Sequence, residues 1–188
     1  MDEKRESTRT ESDTMGPVAV PSWAYWGAQT QRAVDNFSVS DKRIPARLIE
    51  ALGAIKGSAA QVNAELGTVP TELARAIEQA ADEVREGRWN AHFPIDVFQT
   101  GSGTSWNMNA NEVIANRANE ILGAPLGYKS PVHPNDHVNR GQSSNDVIPT
   151  AIHMANRLAA DELVAALEQL REGLSAQAAA LSDVIKIG

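Results

Sequence analysis

The chain has 188 residues, 42% of them hydrophobic and 22% charged, the range of a soluble globular protein with room for one core and the start of a second. A formal net charge of −7, with no Lys/Arg cluster of useful length, argues against nucleic acid as a partner; a small anion held by local donors is compatible with it. The lack of cysteine excludes disulfides, thiolate metal sites and a cysteine nucleophile, and fits a cytoplasmic protein.

Met1 to Thr14 is charged and Ser/Thr-rich with no apolar stretch, so it is not a secretory signal, and residues 1–13 are expected to be a disordered tail. No apolar run approaches the roughly 20 residues of a membrane span. Between Met15 and Gln31, Gly16, Pro17, Pro21 and Gly27 punctuate Val18, Val20, Trp23, Tyr25 and Trp26, which predicts short extended pieces and no helix before Gly27. Ile44, Leu48, Leu52, Ile55, Ala59, Val62 and Leu66 then recur at steps of three and four, the face of an amphipathic helix stopped by Gly67. Thr71 is the expected cap of a second helix with Glu72 near its start, the stripe Leu73, Ile77, Ala80 and Val84, and an end at Gly87.

Arg88 to Ser105 reads as loop, and Asn107 to Leu122 as a third helix closed by Gly123 and Pro125. Gly127 to Ser143 is irregular again. A fourth helix is expected to start near Ser144 to Asp146, with Pro149 in its first turn. Leu163, Leu167, Leu170, Leu174, Leu181 and Ile185 keep the helical period almost to the end. One helix of about 35 residues would be roughly 50 Å long, too long for an intramolecular partner along its whole length. Either it is a bundle helix with partners elsewhere, or it is two helices broken near Gly173.

Two polar segments carry chemistry. In Gln99 to Asn111, Gly101 and Gly103 permit close backbone approach, Ser102, Thr104 and Ser105 offer hydroxyls just before a helix start, and Asn107 and Asn111 share a helix face. Free amides and the helix dipole at such a start suit a carboxylate or phosphate; the same pattern also fits an ordinary capped helix after a flexible loop. Five asparagines, at 107, 109, 111, 116 and 119, weaken the helix they sit in. In His133 to Asp146, Ser143, Ser144 and Asn145 lie at another helix start, where one caps the helix and all can donate to an anion. His133 and His137 are four apart, but Pro134 and the lack of a third ligand argue against a metal. His92 and His153 read as structural. Charge-neutral donor clusters suit a reaction in which negative charge grows on a bound carboxylate, as in proton abstraction beside it.

These residues also carry a family likeness. Gly101-Ser-Gly-Thr-Ser105, Asn107-Met-Asn109, Asn111-Glu-Val113, His133-Pro-Asn-Asp136 and Gln142-Ser-Ser-Asn-Asp146 resemble class II fumarate hydratase, supported by Asp13-Thr-Met-Gly16, Trp26-Gly-Ala-Gln-Thr-Gln-Arg32, Phe93-Pro94 and Gln99-Thr100. The likeness runs from about residue 13 to the end. Asp136-His137-Val138-Asn139 looks somewhat like the related aspartate ammonia-lyase, whose pattern however has Ala and Thr at the positions of Ser102 and Ser144.

The resemblance implies an all-α fold: a helical amino-terminal domain (14–143) with a small extended or β region, then the start of a long-helix bundle domain (144–188). It implies reversible hydration of fumarate to (S)-malate by a homotetramer, with no cofactor or metal; a cytoplasmic location and no membrane or nucleic-acid partner are what the composition leads one to expect. Ser102, Gly103, Thr104, Ser143, Ser144 and Asn145 would bind substrate carboxylates with Asn107 close by, and His133, Pro134, Asn135 and Asp136 would form a secondary, non-catalytic dicarboxylate site. The chain ends at Lys186-Ile-Gly188, where the family continues into Arg-Thr-His and later a catalytic Ser loop, so no catalytic residue is assigned and the isolated chain is expected to be inactive. An ammonia-lyase fragment and a non-catalytic dicarboxylate-binding or assembly module are the alternatives. The chain departs from the family at Trp89-Asn-Ala91, Trp106, Arg140-Gly141 and Ser130, which has Lys129 beside it in place of an Arg.

Overall fold

The computed structural model describes residues 7–187. It opens with an antiparallel hairpin, β1 (Thr8–Asp13) and β2 (Gly16–Pro21), paired from Thr8 opposite Pro21 to Asp13 opposite Gly16. This corrects the expectation of a tail over residues 8–13; residues 1–6 lie outside the described residues. The charges that made β1 look solvated are sequestered. Arg9 donates to Glu11 Oε1 at 2.9 and 2.6 Å and to the carbonyls of Pro21, Ala24 and Trp26 at 2.7–2.9 Å, and Glu11 is buried. A paired guanidinium that collects backbone carbonyls orders a segment that composition alone would leave loose.

Helix α1 (Ala28–Asn36) begins directly after Gly27; no helix was expected before Gly27, and none was foreseen between it and Ile44. Its first turn is capped from a distance: the Glu112 carboxylate accepts from the amides of Gly27, Gln29 and Thr30 at 2.9–3.0 Å. Arg32 of α1 in turn grips Asp13 and the Gly16 carbonyl and so fixes the hairpin.

Helices α2 (Ala46–Glu65) and α3 (Thr71–Arg85) form an antiparallel pair. A Cβ on Gly53 would meet Arg85 N at 2.7 Å and Ala81 O at 2.8 Å, so glycine sets the separation there. The buried residues of α2 are Leu48, Ile49, Ala51, Leu52, Gly53, Lys56, Gly57 and Ala60, whereas Val62 and Leu66, expected on the apolar stripe, are exposed. Small residues rather than the largest apolar ones decide which face meets α3. Thr71 is the first residue of α3, preceded by Pro70 and without a side-chain cap bond, so it does not cap as expected. Gly67 and Gly87 both take the left-handed conformation beyond their helices.

Helix α4 (Thr104–Ile121) is the central element, starting three residues before its expected beginning. It is buried on nearly every side, and its asparagines explain how that is tolerated. Asn109 Nδ2 donates to His92 O, Asn116 bridges Tyr25 O and Gly127 N, and Asn119 bridges Val132 O and Val132 N, all at 2.7–3.0 Å. The residues that weaken the helix locally thus hold the irregular segments 88–103 and 122–133 to the core.

Helix α5 (Ser144–Ala180) runs unbroken for 37 residues, about 55 Å. It passes straight through Gly173, so the two-helix alternative does not hold. Pro149 falls in its second turn rather than its first. Only Val147, Ile148 and Ala151 are buried, and the last tie back to the body is an ion pair between Arg47 and Glu162. Among the described residues no helix is long and apolar enough to cross a membrane.

Candidate functional site

The two polar segments singled out in the sequence meet where α4 and α5 begin. Gly103 has φ +72°, and a Cβ there would meet Ile148 Cγ2 at 2.7 Å. Glycine is needed twice over, for the left-handed turn and for contact with α5. Beyond it Asn107, almost fully buried, donates from Nδ2 to Ser144 Oγ at 3.0 Å and to Asn139 Oδ1 at 3.3 Å. The bond to Ser144 is the bridge between the two helix starts. A Ser144 Oγ that accepts from Asn107 keeps its own O–H as a donor.

The hydroxyls form a short ladder on the exposed side of this junction. Thr100 Oγ1 lies 3.1 Å from Ser102 Oγ, which lies 2.9 Å from Thr104 Oγ1. Ser143 is the N-cap of α5, its hydroxyl accepting from Asn145 N at 3.2 Å, so the capping role falls to it. Ser102, Ser143 and Asn145 are exposed and Thr104 and Ser144 half-buried. The arrangement is a row of neutral donors beside two helix amino termini, open on one side. It can receive a carboxylate by hydrogen bonds and dipoles alone.

His133, Pro134, Asn135 and Asp136 form a separate motif, a five-residue π-type turn (Pro134–Val138) capped by His133, whose Nδ1 accepts from the amides of Asn135 and Asp136 at 3.3 and 3.2 Å. His137 Nδ1 accepts from His133 N at 2.8 Å, and burial lowers its pKa. The two histidines four apart therefore stitch a turn together. Among the described residues no group of three or more His, Asp or Glu side chains is placed to hold a metal ion.

Sequence reasoning missed Lys56. It is wholly buried on α2 and donates to Asn139 Oδ1 at 2.8 Å and Gln142 Oε1 at 2.9 Å, in the stretch joining the His133 turn to Ser143. The available signal was its spacing, four residues from both Leu52 and Ala60 on a face otherwise small or apolar.

The departures have local accounts. Trp89 packs on Tyr25 at 4.3 Å between ring centroids and donates to Glu83 Oε2, which also takes Arg117. That pairing holds the Glu83 carboxyl below its usual range. His92 sits among Trp23, Tyr25, Trp26 and Trp89 with centroids 5.1–6.1 Å away, and burial lowers its pKa. Its role is structural. Lys129 donates to the Ser12 carbonyl of the hairpin. Gly141 has φ +70°, a turn that suits glycine. Trp106 lines an apolar cleft of about 400 Å³ with Leu48, Val97, Ile152 and Ala155, and its Nε1 is buried without a partner.

A family model described as lyase matches residues 16–188. A class II fumarate hydratase of Pseudomonas aeruginosa is 57% identical over 182 residues, and one of Thermus thermophilus 56% identical over 183. Each alignment covers 96% of this chain and 39% of the relative, so the chain spans about two fifths of the length of these curated relatives, matching their amino-terminal part. Among solved structures, a fumarate lyase:delta crystallin from Brucella melitensis superposes with a TM-score of 0.93 at 46% identity, covering 97% of this chain and 43% of that one. The class II fumarase of Schistosoma mansoni gives 0.76 at 43% identity, covering 79% and 32%. With its helical fold, its paired donor segments and a match over residues 16–188, the chain belongs to the lyase family.

Proposed function

We propose that this chain supplies carboxylate-binding groups of a class II fumarate hydratase, which interconverts fumarate and (S)-malate in the cytoplasm. The observation that carries the reading is the Asn107–Ser144 bond, which joins the two donor segments into one open-sided surface. Its hydroxyls and helix amides are neutral, as suits a dianion whose charge grows during reaction. When a base removes the proton beside one carboxylate, the charge spreads onto that carboxylate as an aci-carboxylate. Ser102, Gly103, Thr104, Ser143, Ser144 and Asn145 then stabilise it more than the ground state, with Asn107 holding the junction. No metal or organic cofactor enters the scheme. The relatives named fumarate hydratase support the reaction over an ammonia-lyase one.

The base and the proton relay are assigned to no residue here, and the isolated chain is expected to be inactive. The apolar face of α5 seats other helices of a homotetrameric bundle, and the site is completed from outside this chain. The His133–Asp136 turn serves as a secondary dicarboxylate site. A chimera in which this chain replaces the matching portion of the Pseudomonas aeruginosa relative tests the reading. Loss of the ultraviolet absorbance of fumarate is expected with the chimera and not with the 188-residue chain. A soluble tetrameric chimera that deaminates aspartate but leaves fumarate unhydrated would overturn it.

A further inference from the structure

Buried lysines ordinarily face a carboxylate or coordinate some other charge. Lys56 does neither. Its side chain has no exposed surface, and its partners are the neutral amide oxygens of Asn139 and Gln142. Burial alone moves its pKa, down to about 7.

The partners are themselves aimed. Asn139 Nδ2 donates to Gln142 O at 3.2 Å, and Gln142 Nε2 donates to Val138 O at 2.9 Å. With both amide NH2 groups committed to the loop backbone, both carbonyl oxygens turn towards Lys56. Asn139 Oδ1 then accepts a second bond from Asn107, whose Nδ2 also reaches Ser144 Oγ. A continuous path therefore runs from Lys56 through Asn139 and Asn107 to Ser144. A residue that only filled space on α2 would be met by leucine or methionine, without the cost of burying an amine. Two donors directed at one loop are what support for a site requires.

We infer that Lys56 is a positioning residue: it locks the Val138–Gln142 loop onto α2 and through Asn139 fixes Asn107 and Ser144 in the arrangement that receives a substrate carboxylate. The inference rests on the reading of Asn107 and Ser144 given above. Lys56 does not itself meet substrate. An ammonium has three N–H donors and a neutral amine two, so either form makes both bonds, and donors rather than charge are the requirement.

Lys56→Met keeps the volume and removes the donors, and Gln142→Met removes one acceptor from the loop side should the first variant fail to fold. Hydrogen exchange on the 188-residue chain is expected to quicken at least tenfold over residues 138–147 in either variant, with residues 74–84 and 110–118 unchanged. In the chimera, Lys56→Met is expected to lower kcat at least tenfold with KM within threefold, because misplaced donors forfeit stabilisation that develops with the charge. Unchanged exchange at 138–147 overturns the inference. So does acceleration spread evenly over α2, α3 and α4, which marks an ordinary core residue, and so does a kcat within twofold of the parent. If the unsubstituted chimera does not hydrate fumarate, the reading of the reaction fails, and the exchange pattern alone decides the role of Lys56.

Discussion

Helix α5 is continuous, yet its two ends live in different surroundings. Over its first turns Val147, Ile148 and Ala151 are buried against the body. Further on, Leu163, Leu167, Leu170 and Leu174 repeat the same three-and-four spacing and are 52–62% exposed. The periodicity says that a face is meant to be covered; it does not say by what. In the first half the cover is α2 and α4 of this chain, and in the second half the described residues provide none. A long helix draws most of its stability from such cover, so the two halves should answer differently to the same substitution.

The widest gap is expected between Ile114 and Leu170. Ile114 is fully buried on α4, and Ile114→Ala removes packed methylenes and leaves a cavity, costing about 2–5 kcal/mol. Leu170→Ala removes nothing that this chain packs, so at dilutions where the chain is monomeric it should cost less than about 0.5 kcal/mol. At high concentration the same change should weaken self-association. Urea melts of both variants, each at two protein concentrations, would show it. A large Leu170→Ala loss that ignores concentration would mean that the second half of α5 folds back on its own body.

Charges sharpen the contrast next. The ion pair between Glu168 and Arg171 on the outer half of α5 is solvent-exposed and contributes little. Lys56 titrates inside the packed half, with its pKa lowered from 10.5 to about 7 by burial. Between those values the unfolded chain holds the proton and the folded chain does not, so stability rises with pH. The gain is complete above 10.5 and gone once the pH falls through about 7. From pH 7 to pH 9 it should amount to about 2 kcal/mol, and Lys56→Met should abolish it. Equal slopes of stability against pH in parent and variant would show that Lys56 keeps its ordinary pKa.

What was legible in the sequence follows the same division. Helix limits came from local punctuation: Gly67, Gly87 and Gly123 end α2, α3 and α4 where they were expected to. That the two polar segments open α4 and α5 was legible too, because Gly101, Gly103 and the hydroxyls around them sit together in the chain. Lys56 was harder to see, since its partners lie 83 and 86 residues away and its spacing from Leu52 and Ala60 was the one local sign of burial. The phase of α2 was misjudged in its second half because Gly53 and Gly57 carry no hydrophobic weight, yet they set how closely α3 approaches. The strand Thr8–Asp13 was misjudged because Arg9 and Glu11 satisfy each other and the carbonyls beside them, a pairing that composition reads as solvation. The asparagines of α4 were counted as a weakness, when Asn109, Asn116 and Asn119 bond backbone groups of distant segments.

The smallest effect has the opposite sign. Gly103 and Gly173 are each a single hydrogen at Cα, one at the junction of α4 and α5 and the other in the bare half of α5. At Gly103 an alanine must take φ +72° and press its Cβ to 2.7 Å from Ile148 Cγ2, so Gly103→Ala should cost about 1–3 kcal/mol and push the two helix starts apart. At Gly173 a Cβ meets nothing within 4 Å and the backbone is helical, so Gly173→Ala should stabilise the outer turns by about 0.5–1 kcal/mol. Circular dichroism should detect that as added helix with no change in the cooperative melt of the body, because the outer turns lie beyond the core that melts together. If Gly173→Ala instead raised the melting temperature of the whole chain, the two halves of α5 would be one cooperative unit, and the bare half would owe its helix to this chain rather than to a partner.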